Sequence, residues 1–154
     1  NLLQSLESCE ANFDAKFSGE TSETVQRVGA LDSKLLGIAT KYSAGSNNAD
    51  ELSSFIQELE QAEILAEAIH LDQKSLIANT NYVALLRIHA GIRLLTASIK
   101  SSLARNESRG VHRRSDFLEE DPELIHHITV DNNANIGTLA VRKGQKDNWI
   151  LTPQ

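Results

Sequence analysis

Asn81-Tyr82-Val83-Ala84-Leu85-Leu86-Arg87-Ile88-His89-Ala90-Gly91-Ile92-Arg93-Leu94-Leu95-Thr96-Ala97-Ser98-Ile99-Lys100 is the stretch on which the fold turns. Leu85, Ile88, Ile92, Leu95 and Ile99 recur at alternating spacings of three and four, the interval that stacks side chains on one face of an α-helix. From Asn81 to Asn106 there is no proline, and the single glycine, Gly91, costs only ~1 kcal/mol relative to alanine. The spacing predicts a long helix over about residues 81–106.

Three further runs precede it. Leu2, Leu6, Cys9, Phe13 and Phe17 share one stripe that Ser18-Gly19 ends. Val25, Val28, Leu31, Leu35, Ile38 and Tyr42 form a second, opening near Thr21 and Ser22 and stopping at Ala44-Gly45-Ser46-Asn47-Asn48, a loop rich in residues that tolerate left-handed backbone. Asn48 followed by Glu51 reads as a capping box for a third. That run carries Leu52, Phe55, Ile56, Leu59, Ala62, Ala66 and Ile69, with Glu58, Glu60, Glu63 and Glu67 off the stripe. The predicted core is Val28, Leu31, Leu35, Ile38, Leu52, Phe55, Leu59, Leu85, Ile88, Ile92, Leu95 and Ile99. After Gly110 the pattern changes. Asp116–Glu123 is acidic, and Pro122 closes off any helix before it. Ile128–Val130, Thr138–Val141 and Trp149–Leu151, separated by Asn, Asp and Gly, read as two or three short strands. The expected fold is mainly α: an antiparallel bundle of three to four helices over 1–110, then an extended segment and short terminal strands over 111–154, packed as part of the same domain.

With 154 residues, 40 % apolar and 23 % charged, the chain has the balance of one soluble globular domain. No uninterrupted apolar run approaches the ~20 residues that cross a bilayer, and no basic-then-apolar leader opens the sequence. Direct membrane insertion is therefore not expected. Charge is uneven: residues 1–70 hold 12 acidic and 4 basic side chains, residues 71–154 hold 9 and 11. A pI near 5.3 and only 5 % aromatic residues argue against nucleic acid as a partner. Cys9 has no second cysteine to pair with, and its place on an apolar stripe suits a buried thiol. No dinucleotide fingerprint, P-loop, zincin motif or nucleophile elbow occurs. His126 and His127 would point to opposite faces of a strand, a poor metal pair. Glu119-Glu120 reads as a solvated acidic loop. No catalytic, cofactor-binding or metal-binding residue is expected in this chain.

The most specific stretch is Glu107-Ser108-Arg109-Gly110-Val111-His112-Arg113-Arg114-Ser115-Asp116-Phe117. Read physically, the long helix ends at Gly110 with Arg105 and Arg109 in its last turn, where the helix dipole favours cations. His112, Arg114 and Asp116 then alternate and could share one side of an extended segment. The plain reading is a capped helix with a solvated basic end. The sharper one is a docking surface in which Arg105, Glu107, Arg109, His112, Arg114 and Asp116 meet a partner domain.

This segment resembles the Glu-Ser-Arg-Gly-x-His-x-Arg-x-Asp signature in the C-terminal helical domain of the succinate dehydrogenase and fumarate reductase flavoprotein family. Asp72-Gln73-Lys74-Ser75-Leu76-Ile77-Ala78-Asn79-Thr80-Asn81 is similar to the family's Asp-x-x-Ser-x-x-x-Asn-Thr-Asp stretch before its longest helix, and the spacing to Glu107 agrees. Leu124–Ile128 is loosely similar to the segment that opens the family's terminal strands. L-aspartate oxidase, a relative, carries a similar Glu-Ser-Arg-Gly-x-His segment. The Arg114 and Asp116 matches favour the dehydrogenase/reductase branch. Arg87-Ile88-His89-Ala90 departs from the family's Glu-Leu-x-Asn or Glu-Leu-x-His, reversing a charge, and Asn81 and Asn106 depart at two further positions.

The resemblance implies a domain that buttresses an FAD-dependent dicarboxylate oxidoreductase and is inactive by itself. It implies FAD in the parent protein and none on this chain. The implied partner is a flavin-binding domain, in cis or as a split subunit, with a cytoplasmic location and any membrane association made through partner subunits. The alternative from another class is a stand-alone helical interaction module using the acidic face of Glu60, Glu63 and Glu67.

Overall fold

The computed structural model describes residues 21–71, 78–143 and 149–153. Three helices come first: α1 (Thr21–Ser43), α2 (Ala49–Glu67) and α3 (Thr80–Ala104). A single 3₁₀ turn (Pro122–Leu124) leads into three strands, β1 (His126–Val130), β2 (Ile136–Lys143) and β3 (Trp149–Pro153). The chain is thus mainly α with a small β appendage, as its periodicity predicts. The predicted run over residues 2–17 lies outside the described residues.

The residues group into two compact units, one drawn from Asn1–Gly37 and Leu59–Ile92, the other from Ile38–Glu58 and Arg93–Gln154. In the first, Val28, Leu31 and Leu35 of α1, Leu59, Ala62 and Ala66 of α2 and Leu85, Ile88 and Ile92 of α3 are buried, together with Ile69 and Leu71 beyond α2. Arg87 donates to Asp32 at 2.9 Å. Both side chains are largely exposed, so the expected charge reversal falls on a solvated pair worth ~0–1 kcal/mol. Asn79 caps α3 by accepting from the Tyr82 amide at 2.9 Å.

The second unit buries Ile38, Leu52, Phe55 and Ile99. The capping box forms: the Glu51 amide donates to Asn48 Oδ1 and the Asn48 amide to Glu51 Oε2, both at 2.9 Å. The Tyr42 hydroxyl bonds Ser102 Oγ at 2.7 Å, and Asn47 Nδ2 donates to the Tyr42 carbonyl. The sheet is antiparallel in the order β1-β2-β3. Asp131 folds the β1–β2 turn by accepting from the Asn133 and Asn135 amides at 2.8 Å. Gly137 lies opposite Thr129, and a Cβ there would come within 2.8 Å of Thr129 Oγ1.

Eleven of the twelve predicted core residues are buried; Leu95 is only half-buried. A larger correction concerns α3, which stops at Ala104 rather than Gly110. Ile92 is 2 % exposed in the middle of its stripe. Ile92→Ala should therefore lower the unfolding free energy by ~2–5 kcal/mol, and Leu95→Ala by less, measured by urea denaturation.

Candidate functional site

The early end of α3 follows from a guanidinium. Arg114, only 2 % exposed, turns its Nη1 onto the carbonyls of Ser102 (3.0 Å), Leu103 (3.2 Å) and Arg105 (3.2 Å). These are carbonyls that a helix C-terminus leaves without intrahelical partners, and a cation is favoured there. The other edge of the same guanidinium is bidentate on Asp116, Nε to Oδ1 at 2.7 Å and Nη2 to Oδ2 at 2.6 Å. Asp116 Oδ2 also accepts from the Ala49 amide at 2.9 Å, at the start of α2. One ion pair therefore closes the C-terminus of α3 with a cation and the N-terminus of α2 with an anion. The Phe117 ring lies 5.0 Å from the guanidinium carbon. Chiefly because of the Arg114 hydrogen bonds, the Asp116 carboxyl is held down at about 2.

Between Ala104 and Arg114 the chain makes a tight turn. The Arg109 amide donates to the His112 carbonyl at 2.9 Å and the His112 amide returns the bond at 3.0 Å. Gly110 takes φ +58° at the first central position, a left-handed conformation that glycine adopts without the strain a Cβ brings. Gly110 is thus a turn glycine and not a helix cap. Ser108 pins the turn from inside: its amide donates to the Glu119 carbonyl, its hydroxyl to the Phe117 carbonyl at 2.5 Å, and it accepts from the Arg114 amide at 2.8 Å.

Glu107 is fully buried and is the second hub. Arg109 grips it with Nε, 3.1 Å from each carboxylate oxygen, and Nη2, 2.8 Å from Oε2. Arg105 Nη1 bonds Oε1, and the Asp121 amide donates to Oε2 at 2.9 Å. These donors outweigh desolvation, Arg109 contributing most, and hold the Glu107 carboxyl at about 2, well below its ordinary 4.5. Both arginines reach onward. Arg109 meets Glu120 at 2.9 Å and the Asp121 carbonyl at 3.0 Å. Arg105 donates to the carbonyls of Leu124 and His126, fixing the entry into β1. Burial first, and then the nearby Arg105 and Arg114 charges, push the His112 pKa down. Its Nε2 is buried and has no partner among the described residues. An open cleft of about 340 Å³ is lined by Arg105, Arg109, His112, Leu124, Ile125, His126, His127 and Val141.

The six residues singled out from the sequence therefore come together, but the expected solvated basic helix end does not exist. Glu107 and Arg114 are buried, and Arg105 and Arg109 are spent on the chain's own carboxylate and carbonyls. Gly110, Val111, Arg113, Ser115, Asp116 and Phe117 are the exposed members of the segment. Glu119-Glu120 is not purely solvated either, since Glu120 pairs with Arg109. Sequence reading missed Ser108, Asn47, Glu120 and Asp121. The one available signal was stoichiometric: four arginines within ten residues require more anionic partners than Glu107 alone.

Residues 33–151 match the family described as "Fumarate reductase flavoprotein C-term". The chain belongs to that family of flavoprotein C-terminal domains. Over 71 residues it is 37 % identical to the protein named "Fumarate reductase flavoprotein subunit" in two strains of Mycobacterium tuberculosis, CDC 1551 / Oshkosh and ATCC 25618 / H37Rv. The aligned stretch is 46 % of this chain and 12 % of either relative.

Two measurements check the electrostatics. Arg114→Ala should cost ~3–5 kcal/mol because it leaves buried groups unpaired, whereas Arg113→Ala, its exposed neighbour, should stay within ~0.5 kcal/mol. Because the folded-state pKa values of Glu107 and Asp116 are depressed, their stabilisation is fully present above the ordinary carboxylate range and lost as pH falls toward about 2. Unfolding free energy should fall as pH drops below neutral, first because the unfolded His112 takes up a proton that the buried one resists and then, below about 5, through the two carboxylates, the second fall being shallower in Glu107→Gln.

Proposed function

We propose that this chain is the C-terminal helical domain of an FAD-dependent succinate dehydrogenase/fumarate reductase-type oxidoreductase. In this reading it packs on the flavin-binding domain as a buttress and supplies no catalytic residue. The observation that carries it is the family match over residues 33–151, which includes the whole Glu107–Asp116 signature.

The chemistry of the knot supports a structural role. A dicarboxylate substrate requires cations free to receive it and a proton donor within reach. Here Arg105 and Arg109 converge on Glu107, and Arg114 is saturated by Asp116 and helix carbonyls. Nor, among the described residues, does the start of α2 fit a flavin dinucleotide. Its pyrophosphate would need open amides at a helix start, whereas the α2 start already holds the Glu51 and Asp116 carboxylates. The FAD belongs to the partner domain, in cis or as a split subunit. At this end the segment containing Arg105, Glu107, Arg109, His112, Arg114 and Asp116 faces that domain through its outer atoms. Buried Glu107 and Arg114 hold its shape. The parent protein is cytoplasmic, and any membrane association runs through other subunits.

The test compares this chain alone with the flavoprotein that carries it. The chain alone should be colourless, without FAD and without fumarate-reducing activity, while the flavoprotein should retain FAD and reduce fumarate or oxidise succinate. Stoichiometric FAD on the chain alone would overturn the proposal, as would a parent polypeptide that binds no flavin.

A further inference from the structure

Helix α3 is apolar on two opposite faces. Ile88, Ile92 and Ile99 are buried on one. On the other, Val83 is 64 %, Leu86 51 % and Leu94 70 % exposed, with exposed Ala90 between them. At the helical turn angle these four fall within a sector of about 80°, diametrically across from the isoleucines. A second apolar face on a helix whose first is already buried is surface that water does not favour. Isolated exposed leucines are ordinary, but a continuous row of them is not.

We infer that this outer face of α3 is where the flavin-binding domain of the parent flavoprotein docks, an inference that rests on the function proposed above. Two observations choose this occupant. The family is a C-terminal one, and the stretch aligned with the curated relatives is only 12 % of their length, so such a polypeptide has ample chain outside this segment to cover the row. The row also has a net cationic border: exposed Arg87 and Arg93 flank it, Asp32 offsets Arg87 alone, and α3 carries no acidic residue. An apolar centre with a polar rim is the anatomy of a protein interface, and the cationic rim calls for an acidic border on the docking domain. Arg87 already pairs with Asp32 and is held at the edge of the row.

The test is Val83→Gln with Leu86→Gln, glutamine being a good helix former, made both in this chain alone and in the flavoprotein that carries it. Leu118→Gln, at an equally open leucine 76 % exposed and outside the helices, is the control. The expected result has three parts. The melting temperature of the chain alone stays unmoved, the temperature at which the flavoprotein releases FAD falls by several degrees, and α3 amides in the flavoprotein lose protection from hydrogen exchange. Leu118→Gln should do none of this. Unchanged FAD release and exchange in a yellow flavoprotein would overturn the inference while leaving the proposed function standing; a wild-type flavoprotein without flavin would sink that function first. The assignment also falls if the double variant unfolds the chain alone. It falls equally if wild-type chain sediments as a dimer that the variant abolishes, or floats with phospholipid vesicles.

Discussion

Everything after α3 depends on one buried carboxylate. Glu107 has no exposed surface, and its oxygens receive Arg105, Arg109 and the Asp121 amide. A carboxylate in that position is costly unless each oxygen is satisfied, and removing one partner leaves the others stranded. Satisfied as it is, it fixes two arginines, and their remaining donors fix the Asp121, Leu124 and His126 carbonyls. The route of the chain from the end of a helix to the start of a sheet is thus written in hydrogen bonds to two guanidinium groups. Apolar burial contributes little there: among the described residues from 109 to 141, only Arg114 is fully buried.

Arg114 and Asp116 perform a parallel task with helix ends. Helix termini present partial charges of opposite sign, and a single bidentate pair placed between a C-terminus and an N-terminus satisfies both. The planar fork matters. An ammonium could not face a carboxylate with one edge and three carbonyls with the other. Glu107, Ser108, Arg109, Arg114 and Asp116 each hold backbone groups of this chain.

The helices obey a different logic. Stripes at three-and-four spacing bury Val28, Leu31 and Leu35 on α1, Leu52, Phe55 and Leu59 on α2, and Leu85, Ile88, Ile92 and Ile99 on α3. Yet α1, α2 and α3 also leave Leu36, Ile64, Val83 and Leu86 open to solvent. Such surface is unfavourable in water.

The helices, the Asn48–Glu51 cap of α2 and nearly all of the core were legible in the sequence because these are local properties. Periodicity decides which face is buried, and Asn48 with Glu51 signals an N-terminus within four residues. The strands were legible for the same reason, as β-branched runs cut by Asn, Asp and Gly. Resemblance of the Glu107–Asp116 segment identified the family, and the six residues named from it do assemble in one place. What the sequence could not determine was their state. Gly110 and the neighbouring arginines look like a helix end when read locally. The helix stops six residues earlier because Arg114, ten residues beyond Ala104, folds back onto its last carbonyls. Whether an arginine is solvated or buried depends on which carboxylates and carbonyls reach it through space. Glu120, Asp121 and Ala49 reach these from positions that no local pattern connects. Periodicity fixed the helices; only the tertiary structure decided that the basic segment is the inside of a knot.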